Sequence, residues 1–411
     1  MRSNAMLLLA GLEAEINQDP TLTTANAIPT NKFLPGYNFA ELRRLIVNQG
    51  IDAAKKLIGA ETIDFNFECE LIASGVVGTA PAWGPFLEAC GFTKSVLAAA
   101  AIDDPIAAFG NAGLSGLAVA KGGSFTGTTP RVYKVAVTTG GESGVAEVSV
   151  TCQDDDTQNS TENTVTTATP INLGDEGATI TFTFASGSLT LGDAWYVYCY
   201  PAGIRYRPTA HNGTFGSMYF YHYLDELLFK GGGGRGNVTI NAPAGEVASL
   251  QFNFKSVFAS IAASTVPDHT FPDDVPEIVE NAGFQIDGFD DLAIDTISLD
   301  TNNNIIEKKN VNYPQGLECY KITARDNQFR INPEALPEDE FAFWAKLRAR
   351  TEFPFGFKVG STSGNIVHVQ VRRGVFDNLG PEDRDDTLVY GITGQCRPSP
   401  AGNDNIEIFV C

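Results

Sequence analysis

The chain has 411 residues, 43% of them apolar, with 41 glycines and 21 prolines. That is enough for large cores, about two or three domains and a turn-rich β composition. Twenty-eight Lys and Arg against 49 Asp and Glu leave a net charge of −21, which argues against a grip on nucleic acid, because phosphate binding needs neutralising cations. Seven cysteines without C-x-x-C spacing, and four histidines distant from them and from each other, give no zinc-site pattern and suggest buried thiols in a reducing compartment.

The apolar run AMLLLAG is too short to span a bilayer and lacks the pattern of a signal peptide, so synthesis and first use in the cytoplasm are expected. Residues 6–16 are predicted as a first strand. The stretch PTLTTANAIPTNKFLP, residues 20–35, is polar and bounded by proline, the pattern of a long ordered arm. The alternative is a loop packed on its own subunit. After Asn38, a plausible N-cap, Phe39, Leu42, Leu45 and Ile46 have helical spacing. Ile51, Ala54, Leu57 and Ile58 allow a second short helix.

From Thr62 to Leu71 the alternation is strict. Ile63, Phe65, Phe67, Cys69 and Leu71 face one way, while Asp64, Glu68 and Glu70 lie on the opposite, solvated face of a strand. Trp83 to Phe92 is predicted as a turn plus about two helical turns, with Trp83, Phe86, Leu87 and Cys90 forming an apolar plug. Between 122 and 205, short strand-like runs separated by polar clusters suggest an inserted β-sandwich. It divides a main domain into residues 1–121 and 206–411.

Farther on, the run GGGGRG after an aromatic strand allows a very tight or mobile turn. It lacks the lysine and spacing of a phosphate loop. Asn237 to Phe258 alternates as a hairpin pair. The run from Asp300 to Asn304 departs from a calcium loop, since Ile305 and Val311 occupy the positions that need Gly and Glu. Glu338 to Arg350 is predicted as a helix, with strands on either side at 317–331 and 366–376. Asn405 to Cys411 is predicted as an edge strand.

ECELIASGVVGTAPAWGPFLEACGF, GGGGRGNVTINAPAGEVASLQFNFKSVF, SLDTNNNIIEKKNVNYPQGLECYKITARD, GSTSGNIVHVQVRRGVF and the terminal NDNIEIFV occur in one order. As a set, they resemble the tail tube proteins of long-tailed, siphophage-type bacteriophages. The motif positions that carry the likeness include Pro81, Trp83, Gly84, Pro85, Cys90, Gly91, Phe92, Arg235, Gly236 and Asn365. The likeness covers about residues 5–100 and 210–411; the 122–205 segment is similar to the extra β modules of some phage tail proteins.

The resemblance implies a mainly β fold, a tail-tube β-barrel or paired antiparallel sheets with a flanking short helix. It also implies six subunits per ring, stacked rings and a hollow tube in the virion, with no enzymatic activity and no cofactor or metal. Expected partners are other copies of the chain, the tape measure, tail terminator and distal tail or baseplate initiator proteins, and genomic DNA passing without specific binding. No membrane span is expected. Asp64, Glu68 and Glu70 are candidates for the lumen wall, and Pro20, Ile28, Phe33 and Pro35 for subunit contacts. Two other readings compete. In one, a tail-surface adhesin stacks Trp195, Tyr196, Tyr198 and Tyr200 on a host glycan; in the other, a carbohydrase uses paired carboxylates, though no motif singles out a pair.

Overall fold

The computed structural model describes residues 5–31, 33–43, 55–112, 115–269, 271 and 275–411. The fold is mainly β, with every strand pairing antiparallel and two α-helices, Gly84–Ala89 and Phe343–Ala349, among the described residues. Sixteen strands form one branched, open sheet that folds over a single core. The strict alternation read in the sequence lies on the strand Leu57–Glu70, whose Ile63, Phe65, Phe67 and Cys69 are buried. The expected hairpin pair is formed by Leu227–Pro243 and Ser249–Ala263.

The sheet contains the same arrangement twice. In the first half, neighbouring strands run in the order Gly36–Leu42, Leu57–Glu70, Ser249–Ala263, Leu227–Pro243, Met218–Leu224, Met6–Leu12. The second half repeats it as Ile294–Asp300, Gln328–Pro333, Thr387–Arg397, Val367–Arg384, Phe353–Val359, Gln285–Ile286. The strands also follow one another along the chain in the same sequence in both halves, and each half carries its helix at the same step.

Local details repeat as well. A register shift falls between Met218 and Phe220 in one half and between Phe353 and Phe355 in the other. Gly236 faces Phe254 across the first long hairpin, and Phe376 faces Gly394 across the second. The aromatic ring and the glycine that makes room for it have changed strands. The halves are joined where Thr239–Pro243 pairs with Thr296–Asp300.

Residues 101–200 build two further sheets, one containing Arg131–Thr139, Glu147–Cys152 and Ala194–Tyr200, the other Leu117–Gly123, Pro170–Leu173 and Ala178–Phe184. Tyr133, Val148, Ile180, Phe182, Trp195 and Val197 fill the space between them. The strands Ala101–Ile102, Ile106–Ala107 and Leu117–Gly123 join these sheets from before residue 122.

Three local expectations are corrected. The segment after Asn38 is a strand, not a helix, because Gly36–Leu42 pairs with the free side of Leu57–Glu70; Leu57 and Ile58 belong to that strand too. Leu45, Ile46, Ile51 and Ala54 lie outside the described residues. The four glycines make no terminal turn. They sit inside the strand Leu227–Pro243 as a bulge, with Gly233 at φ +61° and the register shifting between Gly232 and Arg235. The last strand, Glu407–Val410, is interior, held between Gly203–Pro208 and Val367–Arg384.

Candidate assembly surfaces

The Trp-Gly-Pro turn is a structural wedge. Trp83 is buried, donates its indole N–H to the Ile72 carbonyl at 2.7 Å, and lies 5.8 Å from the Tyr206 ring. A Cβ at Gly84 would collide with the Tyr206 hydroxyl, which explains the glycine. Pro81 is buried, and Pro85 opens the helix Gly84–Ala89, where its missing N–H costs nothing. Phe86 from this helix packs against Phe67, Phe252 and Phe254 at 5.0–5.8 Å between ring centres. After the helix, Gly91 takes φ +87° and Phe92 turns back into the core. Burial pushes the Cys90 thiol well above its usual range, so it is an inert packing group. All seven cysteines are free and buried.

Asn303 ties this wedge to the glycine-rich strand, donating to the carbonyls of Cys90 at 2.8 Å and Gly236 at 3.0 Å. Arg235 is also buried; one guanidinium nitrogen donates to the Phe215 carbonyl at 2.9 Å, and burial holds its pKa below the ordinary arginine value. Asn365 lies in the turn before Val367–Arg384. These motif residues therefore hold the fold's junctions together, without a reacting group among them.

The acidic face is less uniform than the alternation suggests. Glu70 is exposed and Glu68 half-buried, with the Asn31 amide 3.4 Å from the Glu68 carboxylate. Asp64 is half-buried between Gly36 and Lys255 and accepts from Asn38 at 2.9 Å; burial raises its pKa against the lowering effect of Lys255 and Asn38. Gln315, on the hairpin Asn303–Lys309/Leu317–Arg325, reaches across to Glu61 at 2.9 Å. That hairpin packs on the Leu227–Pro243 and Ser249–Ala263 strands.

The arm is fastened to its own subunit. Ala27–Ile28 pairs with Leu8–Leu9, leaving Ile28 buried. Phe33 is buried against Phe67 and His222 at 5.5 and 4.6 Å. The side chains of Ile28 and Phe33 are thus anchored within their own subunit, Ile28 because the sheet edge beside Met6–Leu12 captures the arm. Pro20 is exposed and Pro35 partly so.

A different surface is apolar and open. All seven residues of Gly36–Leu42 are exposed, including Tyr37, Phe39 and Leu42, and Leu57 and Ile58 opposite them are exposed too. Neighbouring Leu34 is 61% exposed.

Where the 101–200 sheets meet the main sheet, charges are buried together. Asp103 is held by Arg205 at 3.3 Å, Arg207 at 2.6 Å and Arg372, while Arg372 also reaches Glu407 at 3.1 Å. Burial pushes the Asp103 pKa up, but the three guanidinium groups outweigh it and bring it to about 2. Trp195, Tyr196, Tyr198 and Tyr200 are all buried and offer no ring face to a sugar. A cleft of about 540 Å³ separates the Asp154–Asp156 loop from the segment around Val279–Ile297. Asp154 at its wall is committed to Lys358 at 2.7 Å and Arg131 at 3.1 Å. Among the described residues, no three His, Cys, Asp or Glu side chains are placed to hold a metal ion, and no helix is long and apolar enough to cross a membrane.

No protein-family model matches the chain, and no curated protein matches it.

Proposed function

We propose that the chain is a structural virion protein, the tail tube subunit of a long-tailed bacteriophage. Copies polymerise as stacked rings into a hollow conduit for DNA delivery, assembled in the host cytoplasm and carried in the virion. The observation that supports this best is the strand Gly36–Leu42, exposed along its whole length and carrying large apolar side chains. An unprotected apolar edge is a template for pairing with another chain, and a subunit that must tile has a use for it. The ordered motifs that resemble tail tube proteins support the same reading.

In this reading the negative charge has a purpose: a wall bearing Glu68 and Glu70 repels DNA and gives it no docking geometry. Tape measure, tail terminator and distal tail or baseplate initiator proteins are the expected tail partners. Negative-stain microscopy of the purified chain should show rings or tubes, alone or after the initiator is supplied. A chain that stays solitary under both conditions would overturn the proposal.

The wall has its own test. Asp64 is too deeply seated for a clean substitution, so Glu68→Lys with Glu70→Lys is the informative variant. Rings should still form, and DNA ejection from phage carrying the variant should slow. Unchanged ejection kinetics would count against a charged wall at this strand.

A further inference from the structure

We infer that neighbouring copies join head to tail by repeating the joint that the chain already makes between its own halves. The free edge of Gly380–Asp383 in one copy would pair with the Phe33–Gly36 stretch of the next. This rests on the tube reading and adds the surfaces and their register.

Inside the molecule, Leu227–Pro243 has Met218–Leu224 on one edge as far as Gly234, and Ile294–Asp300 continues that edge from Thr239 to Pro243. In the second half, Phe353–Val359 covers the corresponding edge of Val367–Arg384 only as far as Gly374. Among the described residues, no strand continues it, and Pro381, Glu382 and Asp383 are exposed. The first half has the complementary vacancy. The stretch ending at Gly36 corresponds to Ile294–Asp300; Gly36–Leu42, which continues from it, pairs among the described residues only with Leu57–Glu70 and has its outer edge open. One unmatched edge of each kind is what a heterologous, ring-forming contact requires.

The register follows from the repeated details. Gly234 faces Met218 and Gly374 faces Phe353 at the matching bulge; past Asp377, where only the second hairpin shifts register, Val238 opposite Phe252 corresponds to Leu379 opposite Ile392, and Asn241 to Glu382. Phe254 corresponds to Gly394, and their partners Phe65 and Phe329 therefore correspond. One residue earlier, Asp64 faces Gly36 and Gln328 faces Asp300, so Gly36 corresponds to Asp300 and Leu34 to Ser298. The internal pairs Thr239–Asp300 and Asn241–Ser298 then become Gly380–Gly36 and Glu382–Leu34 between copies. Phe33 and its counterpart Ile297 are both buried toward the core, as the correspondence demands. Pro381 falls opposite Pro35, and a position without an N–H on either strand leaves both edges unattractive to indiscriminate pairing.

The same correspondence accounts for the exposed apolar side chains. The Asn303–Lys309/Leu317–Arg325 hairpin, which follows Ile294–Asp300, lies across the long hairpin of the first half. Its counterpart begins at Phe39 and Leu42 and returns at Leu57 and Ile58. In the joined state it would lie across the long hairpin of the neighbour's second half, covering those four residues.

Disulfide trapping tests the register, since directly opposed residues in an antiparallel pair lie within bridging distance. The native thiols are buried. Leu34→Cys and Glu382→Cys chains, mixed under assembly conditions and oxidised, should give a covalent dimer on a non-reducing gel. Leu34→Cys mixed with Asn378→Cys, about 13 Å off register, should not. As a second measurement, Phe39→Asp with Ile58→Asp should abolish rings while leaving the monomer's thermal transition unchanged. Rings that form without the Leu34–Glu382 crosslink, or that survive the double Asp substitution, overturn this joint and leave the tube reading standing. A chain that never assembles overturns both.

Discussion

At the scale of single residues, the buried histidines set an acid response. His222 is fully buried with neither ring nitrogen hydrogen-bonded, and His368 is buried as well. Burial disfavours the charged imidazole and lowers both pKa values to about 4. The unfolded chain protonates them near 6.5, so their contribution is fully present above that pH and declines as pH falls from about 6.5 to 4. Each is worth up to about 3 kcal/mol across that window. Asp103 acts later: its depressed pKa stabilises the fold above the unfolded value near 4, and that is lost toward about 2. Urea unfolding of His222→Leu at several pH values should show roughly half the wild-type decline between pH 6.5 and 4. An unaltered slope would place the early acid response elsewhere. The position of His222 was legible in part: in MYFYHYL it shares the period-two face of Met218 and Phe220, although nothing local marks that face as the inner one. Ile28 and Phe33 misled for a related reason. An arm without periodicity does not disclose which side chains its own sheet will capture.

Among the elements, the glycine-rich strand shows how a composition signal can be read at the wrong scale. Four adjacent glycines suggested a free turn, yet each makes room for a neighbour. A Cβ on Gly231 would come within 2.7 Å of Ile63, one on Gly232 within 2.8 Å of the Tyr219 ring, and one on Gly234 within 2.8 Å of Phe220 and Ser256. Gly234→Ala should therefore destabilise the fold by about 1–3 kcal/mol, and Gly374→Ala, 2.8 Å from Phe355, by a similar amount. Gly380→Ala meets nothing within 4 Å and should stay within about 0.5 kcal/mol. Chemical denaturation of the three variants checks the ranking; a costly Gly380→Ala would contradict it. The Leu57–Glu70 strand was readable because one of its faces is buried. Gly36–Leu42 was not: with every side chain in water, Phe39 and Leu42 satisfy a helical spacing as well as a strand, and only the edge they pair with decides. The internal repeat was hidden by the exchange of Phe and Gly between strands and by the 101–200 segment splitting the first half.

For the whole molecule, the buried charge cluster is the seam between the 101–200 sheets and the main sheet. Arg372 is almost fully buried with Asp103, Glu407 and Asp404 around it, and its guanidinium lies 4.3 Å from the Tyr198 ring. Removing one partner of such a group strands the others, at a cost of about 3–5 kcal/mol. Arg372→Met should show that loss in urea unfolding, whereas the partly exposed Arg384→Met should lose no more than about 1 kcal/mol. Equal losses would mean that the cluster contributes no more than a surface pair. The cluster draws on four separate stretches of the chain, around Asp103, Arg205, Arg372 and Glu407, so the seam was invisible until the strands were placed. Leu97 and Gly203 face each other on paired strands, so a short connector could replace everything between them without moving either one. The shortened chain would still be a poor solute. It would lose the carboxylate of Asp103 and uncover Ile366, Phe409 and Cys411, which now pack against Val132, Tyr196, Tyr198 and Tyr200. The segment most easily cut out is thus also the roof over a patch the main sheet cannot leave wet, and a minimal version would have to recolour that patch with polar side chains first.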